Sequence, residues 1–116
     1  MKLLLLASVI VVALAGPALA QDHSGHGAAA PGSAATEAYR AANAKMHTDM
    51  DIEFSGDADV DFIRSMIPHH QGAVDMARVV IEHGADAEVK ALAEGVIKAQ
   101  EEEIAWMQAW LAKKGL

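Results

Sequence analysis

The chain is 116 residues long and carries 9 Lys and Arg against 16 Asp and Glu, a net charge of −7 that argues against nucleic-acid partners and suits a protein that meets cations. It contains no cysteine, which excludes both a disulfide framework and thiolate metal sites. Six histidines and six methionines remain as its soft or borderline metal ligands.

Lys2, an apolar run over residues 3–15, Gly16-Pro17 and the ending Ala18-Leu19-Ala20 predict a signal peptide over residues 1–20, cleaved before Gln21. An apolar run of about 13 residues is short of the roughly 20 that span a bilayer, so a stable membrane anchor is not expected. The expected location is the periplasm or the exterior. Residues 21–35 are rich in Gly, Ala, Ser and Pro, contain His23 and His26, and show no apolar periodicity, which predicts a flexible His-containing linker. A His-x-x-His pair there would capture Cu(II) or Zn(II) weakly, although an ordinary solvated linker is the better reading.

The remainder, residues 36–116, reads as one helical domain. A first helix is expected over residues 36–54, with Thr36 as N-cap and Tyr39, Met46, Met50 and Phe54 on one face. Ser55-Gly56 breaks the chain and Asp57 caps a second helix that runs from Ala58 to His83, with Gly84 as its stop. Asp57-x-Asp59-x-Asp61 begins like a calcium loop, but Phe62 and Pro68 occupy the positions where an EF-hand needs Gly and Glu, so the capping reading stands. Pro68 interrupts this helix and predicts a kink directly before His69. Asp86 caps a third helix from Ala87 to Lys114, ended by Gly115, whose apolar stripe is Val89, Leu92, Val96, Met107, Trp110 and Leu111. Gly95 within it marks an expected close approach of another helix. The fold class expected is all-α, a short up-down bundle of three main helices.

Residues 61–77 concentrate the chemistry. At about 100° per residue, Phe62, Ala73, Ala77 and Val80 fall close to Met66 and define a core-facing stripe. His69 and His70 flank that stripe about 60° and 40° from Met66, and an imidazole taken out of water needs partners for its nitrogens. Equal steps from Gly56 put Met46 level with Met66, and equal steps from Ala85 put His70 level with Gln100 and Met66 near Glu103. One layer is thus expected to gather Met46, Met66, His69 or His70, Gln100 and Glu103.

The run Met66-Ile67-Pro68-His69-His70-Gln71-Gly72-Ala73 resembles the hallmark of the bacterial domain-of-unknown-function family 305. The resemblance covers residues 36–111 and takes in Met46-His47, Gly56-Asp57, Asp59, Asp61-Phe62, Ala99-Gln100, Met107 and Trp110-Leu111. It implies an exported helical bundle related to the ferritin-like folds, with some members associated with copper. It implies no settled reaction.

Thioether sulfur favours Cu(I), imidazole accepts Cu(I) or Cu(II), and a Met and His set with few carboxylates disfavours Mg(II) and Ca(II). The function expected is therefore an exported metal-binding protein that holds copper for buffering, transfer or sensing. Its candidate ligands are Met46, His47, Met50, Met66, His69, His70 and Met76, with Gln100 and Glu103 as hydrogen-bonding partners behind them. A copper donor or acceptor protein is the partner such a carrier needs. The rival readings are a structural or interaction module without metal, in which the methionines are flexible core packing, and a haem-binding or metal-dependent redox protein. A di-iron oxidase needs Glu-x-x-His pairs, and neither these nor hydrolase signatures occur here, so no catalytic constellation is expected. Trp106, off the main stripe, suggests a second apolar surface and a homodimer.

Overall fold

The computed structural model describes residues 32–116, so the expected leader and nearly all of the expected linker lie outside the described residues. Three helices account for most of what is described: α1 (Ala34–Met50), α2 (Ala58–His83) and α3 (Ala87–Lys114), with no strand among the described residues. The fold is all-α.

Capping chemistry sets the ends of α2 and α3. The Asp57 carboxylate accepts from the backbone N–H groups of Asp59 and Val60, and Asp86 does the same for Glu88 and Val89. Each satisfies donors that a helix start leaves without partners. Gly115 closes α3 in the left-handed conformation at φ 72°, where a residue without Cβ is least strained. α2 continues through Pro68 as one helix, although that residue has no N–H to donate to the preceding turn.

α1 departs from the expected bounds at both ends. Its N-cap is Ser33, whose hydroxyl accepts from the Thr36 N–H at 3.2 Å, so Thr36 sits inside the first turn. It stops at Met50, and Phe54 lies outside any helix and is 74% exposed. Asp49, Asp51 and Glu53 crowd this end with negative charge, which the negative end of the helix dipole opposes. The loop that follows is fastened from α2: the Asp61 carboxylate accepts from the Ser55 N–H at 2.8 Å, the Ser55 hydroxyl at 2.7 Å and the Gly56 N–H at 3.0 Å.

α2 is the middle element. It packs against α1 on one side and α3 on the other, whereas α1 and α3 do not pack on each other. The buried apolar residues are Val60, Ile63, Val74, Ala77 and Val79 of α2 with Ala93 and Met107 of α3, and α1 buries none. The narrow stripe expected on α2 is therefore incomplete: Ala77 is buried, Ala73 and Val80 are half-buried, and Phe62 is 62% exposed. On α3, Met107 is buried but Val89 and Leu92 are exposed. A closed bundle would cover these positions. Here no contact between α1 and α3 seals the trough over α2.

The close helix approach occurs at Gly72 and not at Gly95. A Cβ added at Gly72 would sit 2.8 Å from Met46 Cγ, whereas one at Gly95 would meet nothing within 4 Å. The missing side chain at Gly72 lets α1 lie directly on α2 through Met46.

Candidate metal centre

His69 and His70 are consecutive on α2, so their side chains leave the helix about 100° apart and meet different surroundings. His69 is exposed. The His70 side chain is only 15% exposed, and its Nε2 lies 2.5 Å from Glu103 Oε2 on α3. With a carboxylate as acceptor, Nε2 carries the proton and donates, and in the neutral form of the ring Nδ1 is then the nitrogen with a bare lone pair. Nδ1 is buried and has no hydrogen-bond partner. Buried polar atoms are rarely left so, because losing water without a replacement partner costs about 1–3 kcal/mol.

The His70 ring lines a cleft of about 270 Å³ between α2 and α3, together with Met66, Phe62 and Ile63 from α2 and Glu103, Trp106 and Met107 from α3. Two thioethers and one imidazole thus share one partly apolar cleft. Among the described residues no three His, Asp or Glu side chains gather where they could hold one ion. Besides the Glu103 carboxylate, the donors that line the cleft are two thioethers and an imidazole, which suit a soft ion, and an unpartnered Nδ1 is chemically able to act as a metal ligand.

The expected layer is not assembled as counted. Met46 lies over Gly72, six residues along α2 from Met66 and on the α1 side. The α3 partner of His70 is Glu103 and not Gln100, which is half-buried and makes no side-chain hydrogen bond to His70. Side chains on a helix lean toward its N-terminus. In an antiparallel pair His70 and Glu103 lean toward each other's height, so partners fall about one turn away from where equal Cα steps place them.

The other candidates disperse. His47 is exposed in the last turn of α1 and Met50 is half-buried at its end. Met76 is 41% exposed and borders a separate trough of about 290 Å³ with Tyr39, Val80 and Leu92. Met107, which the sequence places in the apolar stripe of α3, lines the cleft beside Met66 and His70. Its spacing held the signal, because it follows Glu103 by four residues and so shares a helix face with it.

A family model described only as a domain of unknown function, DUF305, matches residues 15–111. No curated protein matches the chain. Among the described residues no helix is long and apolar enough to cross a membrane.

Proposed function

The chain belongs to the DUF305 family by that match over most of its length, and from this premise we propose that it is an exported copper-binding protein. In this reading the cleft between α2 and α3 holds Cu(I) through His70 Nδ1, Met66 and Met107. The carrying observation is His70 itself: one ring nitrogen is committed to Glu103 while the other is buried, unpartnered and set in a ring that lines a cleft with two thioethers. The carboxylate fixes the tautomer and orients the ring, the outer-sphere role commonly found behind metal-bound histidines. Copper bound there is, in this reading, cargo to be buffered or passed to a partner. The leader pattern over residues 1–20 supports export, which N-terminal sequencing of secreted material at Gln21 would check.

Exposed apolar side chains support a second reading as an interaction module, with Phe62 and Trp106 at the α2/α3 cleft and Leu92 at the separate trough. The experiment that separates the two is thermal melting of the purified protein with Cu(I) under anaerobic conditions. A ligand that binds only the folded state adds about 2.7 kcal/mol of stability at one hundred times its Kd. We expect the parent to melt higher with Cu(I) and His70→Ala to lose the shift. An unshifted parent, or a variant that keeps the full shift, defeats the copper reading at this cleft.

A further inference from the structure

We propose that the chain associates with a second copy of itself through the outer face of α3, the two helices lying antiparallel and crossing at Ala99. Such an association needs no metal and is independent of the copper reading. The described residues bury no aromatic side chain, and their core is made of valine, alanine, isoleucine and methionine alone. Leu92 is instead 68% exposed, and Phe62 and Trp106 are each 62% exposed. A small domain without disulfides rarely stabilises itself on so thin a core, and association is one of the ways it gains burial.

Leu92, Ala99 and Trp106 follow one another on α3 at intervals of seven residues, which at 100° per residue sets them within about 20° of one line. All three are exposed. Seven residues is the repeat of paired helices, and the small Ala99 in the middle lets a second helix come close. Leu92 and Trp106 lie about 10.5 Å from Ala99 along the axis in opposite directions. The stripe therefore complements itself across a twofold axis at Ala99, where Leu92 of each copy meets Trp106 of the other. A receptacle for that leucine is present. Trp106 borders a groove of about 310 Å³ with Asp59, Phe62, Ile63 and Trp110.

Charge decides the direction of pairing. α3 begins acidic, with Asp86 and Glu88, and ends basic, with Lys113 and Lys114. Antiparallel pairing lays the basic last turn of each copy on the acidic first turn of the other and opposes the two helix dipoles. Lys98 and Glu102, both exposed, lie on one flank of the stripe, so each copy's Lys98 stands beside the other's Glu102. A parallel pair would set Trp106 on Trp106, Glu103 on Glu103 and lysine on lysine, and would leave Leu92 outside the groove. Residues 21–31 of the same chain are poor occupants of this face, because alanine and a single proline are their only apolar side chains.

Sedimentation equilibrium of the purified, metal-free protein over a range of micromolar concentrations reads the assembly, with circular dichroism as the check on folding. The parent should be a dimer. Leu92→Glu and Trp106→Glu, placed at exposed positions, should each keep the helical signal and raise the dimer dissociation constant at least about 100-fold, since each substitution strikes a symmetric interface twice. The chain has no cysteine, so a single introduced thiol can link only to its own copy. Ala99→Cys, at the axis, should cross-link on mild oxidation, whereas Ala109→Cys, whose two copies the antiparallel pair holds about 30 Å apart along the axis, should not. Should a glutamate variant lose its helical signal, the cysteine pair decides alone. A parent that stays monomeric across the range, or a dimer that survives both glutamate variants, overturns the proposal. So does a dimer in which Ala99→Cys fails to cross-link, or in which Ala109→Cys cross-links equally well, the mark of a parallel pair. None of these outcomes touches the Cu(I)-induced melting shift, by which the copper reading is judged.

Discussion

His70 on α2 and Glu103 on α3 are joined at 2.5 Å across the helix interface, although Glu103 is 62% exposed and His70 only 15%. A surface carboxylate reaches inward to hold a half-buried ring. That pairing leaves Nδ1 as the single unpartnered buried side-chain nitrogen or oxygen found among the described residues. Glu103 thereby decides which nitrogen of the ring is available as a ligand.

Replacing Glu103 by Leu should free the ring and lower copper affinity by about 10- to 100-fold, the usual cost of losing such a partner. Gln100→Leu should leave affinity within about threefold, because Gln100 does not bond His70. Competition against a chelator of known affinity measures both. Equal losses would mean that the two act together and that the observed bond is not what orients His70.

The thioethers separate by position. Met107→Leu and Met66→Leu should each weaken Cu(I) binding, whereas Met76→Leu, in a different trough, should not. Leucine for methionine nearly conserves volume, so stability should fall by less than about 1.5 kcal/mol in each case. Urea melts without copper verify the second point, and affinity that survives Met107→Leu removes that residue from the ligand set.

Two glycines should respond with opposite signs. Gly72→Ala drives a Cβ into the Met46 side chain and should destabilise the protein by about 1–3 kcal/mol. Gly95→Ala adds a methyl in open space within a helix and should stabilise it by up to about 1 kcal/mol. Denaturant unfolding reads both, and combining Gly72→Ala with Met46→Ala should recover part of the loss if the clash is its cause.

Asp61 couples the loop to pH. The Ser55 backbone N–H and hydroxyl, then the Gly56 N–H, hold its carboxyl below the ordinary value of 3.8. A carboxylate depressed in the folded state contributes stability that is present above its unfolded value and disappears as pH falls through the folded one. The stability gap between the parent and Asp61→Asn should therefore be constant above about pH 5 and shrink below about pH 4. Urea unfolding across that range is the measurement, and a gap that stays constant to pH 2 would show that the clasp does not depend on the charge.

Local chemistry in the sequence determined much of the architecture. Asp57, Gly84, Asp86 and Gly115 are capping residues whose effect needs no tertiary partner, and α2 and α3 begin and end where they indicate. The end of α1 was not legible in the same way, because residues 51–54 carry neither Gly nor Pro, and the turn there is held by Asp61, a residue from the next helix. The sequence also marked the segment that carries His69 and His70. Only the tertiary structure decided how the two divide, one exposed and one held by Glu103, because the lean of side chains across an antiparallel helix pair moves contacts by about a turn. It likewise moved Met107 from core filler to cleft wall and Met46 away from Met66 onto Gly72. Helical periodicity specifies which residues share a face, but which faces meet, and which stay open when α1 and α3 do not touch, depends on how whole helices pack.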